Sequence, residues 1–213
     1  MTEATFTTVF ARALRGHPCQ VVEVDGYDEP RLLPVSDWAR AADHGDHLLL
    51  DRCVGATLDI GCGPGRLSER LAELGHVALG IDVVPEAVAQ TVGRGATALH
   101  RNVFDVLPGE GRWRTALLAD GNIGIGGDPV TLLRRVRELL DPRGRVVVEV
   151  AAPGTGLRTT WAVLTCGDER SRPFRWSVVG LDAMPNLAAE AGLREASHDS
   201  AGGRWCSVLE EDR

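Results

Sequence analysis

The chain has 213 residues, of which 44% are hydrophobic, and this length and composition suit one α/β domain with a sizeable core. A formal net charge of −7 disfavours sequence-independent binding to nucleic acid, which requires clustered positive charge, and indicates a small-molecule partner. No apolar run approaches the roughly 18 residues that span a membrane, and residues 1–16 lack the pattern of a secretory leader. We therefore expect a cytoplasmic protein that binds neither membrane nor nucleic acid.

The basic and sulfur-containing residues further limit the reactions and metal sites that this chain can have. All 23 basic residues are arginine, so reactions that depend on a lysine amine are excluded. The five cysteines are scattered without a C-x-x-C pair. This pattern predicts neither a zinc site nor a disulfide framework, and we expect reduced thiols.

The first 55 residues predict a mixed N-terminal segment. An apolar stripe predicts an amphipathic helix over residues 3–15, which Gly16 ends. Extended runs at 19–24 and 31–35 predict a hairpin. Ser36 is expected to cap a short helix, which the sequence DHGDH at 43–47 interrupts before a helical pattern resumes.

From residue 56 onward, strand and helix patterns alternate. Strands are predicted at 56–60, 76–82, 96–102, 114–120 and 145–151. In the helix over 128–140, Asp128 is expected as N-cap and Pro129 at the first position. Continuous apolar strands that alternate with helices indicate a parallel sheet covered on both faces.

After residue 152 the pattern changes to antiparallel elements. A hairpin is predicted from 157–165 and 173–179, followed by a helix over 181–192 and closing strands at 193–198 and 204–210. We expect a single domain with three parts: an N-terminal cap segment (1–55), a cofactor-binding core (56–152), and a hairpin insertion with C-terminal strands (153–213).

A glycine loop follows the strand at 56–60, where residues 59–65 spell DIGCGPG. Glycines let a strand-to-helix turn lie against a ligand, and the helix N-terminus offers free N–H groups. Asp82 ends the second strand, where a carboxylate can accept hydrogen bonds from ribose hydroxyls. The nicotinamide fingerprint G-x-G-x-x-G would need glycine at Arg66, and Pro64 removes a backbone donor, so an oxidoreductase is disfavoured.

With an acidic residue before G-x-G-x-G and a second acid at the end of strand two, the chain resembles the class I S-adenosylmethionine-dependent methyltransferases. The resemblance implies a Rossmann-like seven-stranded sheet in the order 3-2-1-4-5-7-6, with the last-numbered strand antiparallel and an N-terminal helix and hairpin as cap. It implies that Asp59 holds the methionine end of S-adenosyl-L-methionine and Asp82 the ribose. Other residues expected along the cofactor are Gly61, Cys62, Gly63, Gly65, Val83, Val103 and Ala119.

The adenine contact departs from the family pattern. The family often carries an acid after strand three, and the matching residue here is Asn102, whose amide oxygen can accept from the adenine amine. Asp105 is the alternative if the register shifts.

A second glycine loop, ADGNIGIGGDP at 119–129, follows strand four. In the family's order Asp120 and Asn122 border the methionine end and the acceptor, and both are candidates for catalysis. A plain solvent turn and a metal site built on Asp120 and Asn122 are the alternatives, although no further ligands follow the next strand. We predict no metal.

Further candidates lie outside the two loops. His44 and His47 have pKa values suited to a general base, although a solvated helix break explains them as well. Arginine and aromatic residues of the predicted insertion could bind an acidic group that lies beside a ring of the ligand. Alternatively, they belong to a hairpin whose arginines face solvent and whose tryptophans face the core. These candidates for substrate binding, with Asn122, are Arg158, Trp161, Arg175 and Trp176.

The reaction implied by the resemblance is methyl transfer to oxygen or nitrogen of a small molecule, such as a natural-product intermediate. Such a displacement depends mainly on positioning and on excluding water. A protein that binds the cofactor for regulation or for a non-methyl reaction is the second interpretation, because fold alone does not define activity. A nicotinamide-dependent oxidoreductase is the third.

Overall fold

The computed structural model describes residues 2–24 and 29–212. Residues 25–28, in the turn of the predicted N-terminal hairpin, lie outside the described residues. Short 3₁₀ helices occupy His44–Asp46, Asn122–Gly127 and Leu181–Ala183. The remaining elements, in chain order, are β1 (Thr2–Ala4), α1 (Phe6–Leu14), β2 (Gln20–Glu23), β3 (Arg31–Leu32), α2 (Val35–Ala39), α3 (His47–Leu50), β4 (Thr57–Ile60), α4 (Arg66–Glu73), β5 (Ala78–Asp82), α5 (Pro85–Gly93), β6 (Ala98–His100), β7 (Trp113–Leu118), α6 (Pro129–Leu139), β8 (Leu140–Val150), β9 (Leu157–Cys166), β10 (Glu169–Ser171), β11 (Phe174–Val179), α7 (Met184–Glu190), β12 (Leu193–Ala201) and β13 (Arg204–Glu211).

A seven-stranded sheet forms the core in the order β12-β13-β8-β7-β4-β5-β6. Strands β4 to β8 pair in parallel, whereas β13 runs antiparallel to β8. Counting from β4, this is the predicted order 3-2-1-4-5-7-6 with the last-numbered strand antiparallel. The predicted fold class is confirmed.

Both faces of this sheet are buried, as the continuous apolar runs predicted. On one face, Leu117 and Val147 pack with Leu67 and Leu71 of α4. On the other face, neighbouring strand residues pack against α6 and α7. Because side chains alternate across a strand, a parallel strand covered by helices on both sides must be apolar throughout.

Helix α6 begins as predicted. Its N-cap is Asp128, whose Oδ1 accepts from the backbone N–H of Thr131 at 3.0 Å, and Pro129 is its first residue. Proline suits this position because the first helical N–H has no partner within the helix.

A second sheet of six strands joins segments from the two sides of the core. Its order is β1-β10-β9-β2-β3, and β11 pairs with the other part of β9. The two predicted hairpins, β2 with β3 and β9 with β11, are both present. They are not separate, because β2 pairs antiparallel with β9, a contact that the sequence analysis did not predict.

The expectation of five reduced thiols is wrong for one pair. Cys19 and Cys166 form a disulfide, with Cα atoms 4.4 Å apart and a sequence separation of 147 residues. The pairing of β2 with β9 brings these two residues together, so no short-range spacing could have indicated the bond. The other three cysteines, Cys53, Cys62 and Cys206, are buried and free.

Two predicted helix starts also need correction. Helix α1 begins at Phe6 rather than at residue 3, because the side chain of Thr5 caps it by accepting from the N–H of Thr8, and β1 precedes it. Ser36 does not cap α2, which begins one residue earlier after Pro34.

Candidate active site

A cavity of about 830 Å³ lies between the carboxyl ends of β4, β5 and β7 and one face of the six-stranded sheet. Ligands of open parallel sheets bind at this edge, where the strand-to-helix loops converge. Ten of the predicted cofactor residues line the cavity: Asp59, Gly61, Cys62, Gly63, Asp82, Val83, Asn102, Val103, Ala119 and Asp120.

The first glycine loop turns sharply into α4. A Cβ at position 61 would lie 2.6 Å from Nδ2 of Asn122, so only glycine allows the two loops to approach this closely. Gly63 lines the cavity with open space above it. Gly65 does not line the cavity; it is the N-cap of α4 and packs against Thr91, where a Cβ would lie 2.6 Å from Oγ1.

The carboxylate of Asp82 is tied to the backbone on both oxygens. Oδ2 accepts from the N–H of Gly63 at 3.0 Å, and Oδ1 accepts from the N–H of Val84 at 2.8 Å. Burial raises the pKa of Asp82, and these two hydrogen bonds oppose the rise. Each oxygen retains a further lone pair for an external hydroxyl donor.

Asp59, at the end of β4, is almost fully buried and accepts a hydrogen bond from Oγ of Ser68 at 2.6 Å. Burial raises the pKa of Asp59 to about 6, and the neighbouring charge of Asp120 adds to the rise. Cys62 is buried beside it, and burial raises the pKa of its thiol, so the sulfur stays protonated. A buried acid with this pKa can take or release a proton when a charged ligand binds.

At the opposite end of the cavity, Asn102 follows β6. Its Oδ1 accepts from the N–H of Phe104 at 3.1 Å, which leaves one lone pair free. The alternative residue, Asp105, is exposed and does not line the cavity. Of the two candidates for the adenine contact, Asn102 is therefore the one that lines the cavity, together with Val83 and Val103.

Asn122 fastens the second glycine loop to the first. Its Nδ2 donates to the backbone carbonyls of Ile60 and Gly61, each at 2.9 Å. The side chain also lines the cavity. Sequence reasoning predicted that Asn122 borders the ligand but not that both of its amide protons hold the other loop.

The glycines of the second loop make room for β11. A Cβ at Gly124 would lie 2.2 Å from the backbone oxygen of Ser177, and one at Gly127 would lie 2.4 Å from Cβ of Arg175. Gly124 and Gly127 thus have a packing role, because they let the insertion approach the loop.

Arginine and carboxylate side chains connect both loops with β13, and we term Asp46, Arg66, Asp120, Glu149 and Arg204 the loop-bridging ion network. Nη2 of Arg66 lies 2.7 Å from Oδ2 of Asp120, and Nη1 lies 3.2 Å from Oδ1 of Asp46. Arg204 binds Glu149 through Nε at 2.6 Å and contacts Asp46 at 2.8 Å. Glu149 in turn accepts from the N–H of Asp120 at 2.8 Å.

This network was missed from the sequence. Arg66 served only to argue against a nicotinamide fingerprint, yet its side chain is 4% exposed and lines the cavity. Asp120 has a φ of 51°, the left-handed region that non-glycine residues rarely adopt, and the ion pairs hold it there. A buried arginine opposite two carboxylates is a feature of tertiary contacts that no local motif reveals.

His44 and His47, the predicted candidates for a general base, do not line this cavity. His44 is exposed, and Nδ1 of His47 contacts Asp51 at 2.9 Å. The buried residue of the DHGDH segment is Asp46, with a fully enclosed side chain. Asp46, the acid between the two histidines, is therefore the residue of this segment that takes part in the loop-bridging ion network.

The four predicted substrate residues of the insertion divide between two positions. Arg175 and Trp176 line the cavity. Trp161 does not; it is 48% exposed on the face of β9 opposite Thr160 and Ala162, which do line it. Arg158 is also outside, where it pairs with Glu23 at 3.1 Å.

Glu23 is a cavity residue that the sequence analysis overlooked. It lies on β2, and its side chain is 10% exposed and held by Arg158. Other side chains of the cap segment that line the cavity are Phe6, Phe10, Val21, Arg31, Leu32, Leu33, Pro34 and Trp38.

The sheet order, the glycine loop after β4 and the acids at the ends of β4 and β5 have the arrangement of the class I methyltransferase fold. Residues 57–144, less than half of the chain, match the family described as Methyltransferase domain.

Two curated relatives give the level of similarity. Ubiquinone biosynthesis O-methyltransferase of Cereibacter sphaeroides is 36% identical over 95 residues, which are 42% of this chain and 38% of the relative. The 2-heptyl-1-hydroxyquinolin-4(1H)-one methyltransferase of Mycobacteroides abscessus is 29% identical over 133 residues, 61% of this chain and 50% of the relative. The matches thus span half or less of these relatives.

Solved structures share the fold. A SAM-dependent methyltransferase from Bacteroides fragilis, in complex with S-adenosyl-L-homocysteine, has a TM-score of 0.81 at 20% identity and covers 97% of this chain and 94% of its own. Burkholderia thailandensis 1,6-didemethyltoxoflavin-N1-methyltransferase, with its bound substrate and S-adenosylhomocysteine, has a TM-score of 0.56 at 20% identity and covers 78% and 75%. Within residues 2–24 and 29–212, no helix is long and apolar enough to cross a membrane.

Proposed function

We propose that this protein transfers a methyl group from S-adenosyl-L-methionine to an oxygen or nitrogen atom of a small molecule, such as a natural-product intermediate. The observation that carries the proposal is a single cavity of about 830 Å³ that the cofactor-type loops and the six-stranded sheet share. Ligand pockets commonly measure about 300 to 1,000 Å³, so one cavity of this size accommodates two reactants side by side.

The cavity residues fit the cofactor. Asp82 offers free lone pairs to ribose hydroxyls, and Asn102 offers one to the adenine amine. Asp59 and Asp120 supply carboxylates for the methionine ammonium. Nε of Arg66 is buried without a hydrogen-bond partner among the described residues, which leaves a donor for the methionine carboxylate.

When bound, the cofactor would supply an electrophilic methyl group on a sulfonium, with S-adenosylhomocysteine as the leaving group once the carbon–sulfur bond breaks. The protein's task is then to position the two reactants and to exclude water. Asn122 holds the two loops at a fixed separation, and the six-stranded sheet covers the acceptor. A proton released by an oxygen acceptor passes to Asp120, a carboxylate at the cavity wall whose pKa is raised by burial.

The names of both relatives support a small acceptor. One names O-methylation in ubiquinone biosynthesis, and the other a hydroxyquinolinone. An N1-methyltransferase among the similar structures supports nitrogen as the alternative atom.

The test is to incubate the protein with S-adenosylmethionine carrying a labelled methyl group and a panel of small alcohols, phenols and amines. We expect label in an organic product and equimolar S-adenosylhomocysteine, and expect the yield of both to fall with Asp82→Ala when S-adenosylmethionine is subsaturating. Cofactor binding without transfer to any panel member would favour a regulatory protein, and label on carbon would contradict the acceptor assignment.

A further inference from the structure

The aromatic residues of this chain are few and are concentrated around the cavity. The sequence has four Phe, five Trp and one Tyr, and all four phenylalanines line the cavity. Among the described residues, the clusters that bury the two faces of the seven-stranded sheet contain no phenylalanine. The phenylalanine side chains therefore lie where a ligand can meet them, whereas the main core uses Trp113, with Trp205 packed against it.

Five of the rings form a continuous series on the cap side of the cavity, which we term the aromatic belt: Phe6, Phe10, Trp38, Phe174 and Trp176. Phe10 stacks with Phe6 at a centroid distance of 5.3 Å and with Trp38 at 5.7 Å. Phe174 meets Phe6 edge to face at 4.9 Å and Trp176 at 6.5 Å.

The belt is more than the core of the cap. The fully buried core between α1 and the six-stranded sheet consists of aliphatic and sulfur-containing residues such as Val9 and Leu164, and three belt rings, Phe6, Phe10 and Phe174, cover it on the cavity side. The belt rings are all half-buried and line the cavity. Apolar rings that face an open chamber favour a ligand that covers them.

We propose that the methyl acceptor is a planar aromatic compound whose ring stacks within the aromatic belt. Aromatic pairs gain energy in offset-stacked and edge-to-face geometries beyond the area that they bury, and the belt offers ring faces and ring edges together. The belt rings carry no formal charge, so an uncharged ring system suits them best. This inference rests on the proposed function, because it assumes that the chamber beside the cofactor residues holds the acceptor.

The experiment compares flat and saturated probes of the same skeleton. Phenol against cyclohexanol, and naphthol against decahydronaphthol, are titrated calorimetrically into the complex with S-adenosylhomocysteine. We expect the aromatic member of at least one pair to bind about tenfold more tightly, the combined effect of two ring contacts. Equal affinities within both pairs, or no binding by any probe, would overturn the inference.

Substitutions in the aromatic belt test whether the preference for aromatic probes arises from the belt residues. Phe174→Leu and Trp38→Leu remove one ring each and keep an apolar side chain, and we expect the aromatic preference to fall to about threefold or less. Trp161→Leu is the matched control, because this ring is exposed on the opposite face of β9. Unfolding temperature and affinity for S-adenosylhomocysteine show whether each variant is folded, and two independent belt positions keep the test decisive if one fails. An unchanged preference in a folded belt variant would refute the role of the belt.

The outcomes also separate this inference from the proposed function. Methyl transfer to saturated alcohols alone would leave the proposed function standing and overturn the aromatic acceptor. Ring-selective binding without any methyl transfer would overturn the proposed function, and the aromatic belt would then bind an aromatic ligand that is not a methyl acceptor.

Discussion

Replacing Arg66 with methionine tests whether the loop-bridging ion network holds the two glycine loops by charge. Arg66 lies 2.7 Å from Asp120 and 3.2 Å from Asp46. Without it, Asp46 keeps Arg40 and Arg204, whereas Asp120 keeps only Arg204 at 3.8 Å.

The magnitude follows from these remaining partners. Removing one member of a buried ion pair costs about 3 to 5 kcal/mol when the other charge is left alone. Asp120 is 31% exposed and retains a distant arginine, so solvent and Arg204 screen part of the loss. We expect the free energy of unfolding of Arg66→Met to fall by about 2 kcal/mol.

The pH dependence identifies the cause. Burial raises the pKa of Asp120 and Arg66 lowers it, so the pKa rises further in Arg66→Met. A carboxyl whose folded-state pKa lies above its unfolded value loses stability as pH rises through the folded pKa. The difference in the free energy of unfolding between wild type and variant should therefore be larger at pH 8 than at pH 5, because the carboxyl of Asp120 carries more of its charge at the higher pH.

The assay is urea unfolding at both pH values. Arg70→Met is the control, because Arg70 lies on the same helix and makes only an exposed pair with Glu73 at 2.7 Å; its effect should stay within about 0.5 kcal/mol. Asp120→Asn should restore much of the stability of Arg66→Met. A loss that is equal at both pH values and is not restored by Asp120→Asn would show that packing, not charge, explains Arg66.

Three further predictions concern the cavity. Asp82→Ala should weaken binding of S-adenosylhomocysteine by about 2 to 3 kcal/mol, the value of charge-assisted hydrogen bonds. An unchanged affinity in calorimetry would show that Asp82 does not bind the ribose. Because the pKa of Asp59 is about 6 and a bound ammonium favours the carboxylate, affinity for S-adenosylhomocysteine should increase as pH rises through about 6, and a profile shared with Asp59→Asn would contradict this. Gly124→Ala should destabilise the protein, because a Cβ would lie 2.2 Å from the oxygen of Ser177, whereas Gly93→Ala, in open space at the end of α5, should not; equal thermal unfolding of the two would refute the packing role.

Local sequence patterns were sufficient to predict the parallel core. The alternating strands and helices, the glycine loop and the cap at Asp128 each depend on neighbours within a few residues. These signals also placed Asp59, Asp82 and Asn102 along one cavity, because the carboxyl ends of parallel strands meet at one edge of a sheet.

Contacts between distant segments could not be predicted in this way. The pairing of β2 with β9, the disulfide and the loop-bridging ion network join residues that no periodicity relates. Trp161 and Trp176 illustrate the limit, because both belong to predicted strands but only the register decides which one faces the cavity.

The pairing of β2 with β9 also has a consequence for the order of folding. Strand β2 precedes the whole parallel core in sequence and β9 follows it, so the roof over the acceptor chamber is a structure of high contact order. Its two halves can meet only after the chain between them has been brought together, which carries a loop-closure cost. The acceptor side of the cavity thus depends on a pairing between segments that lie before and after the parallel core in the sequence.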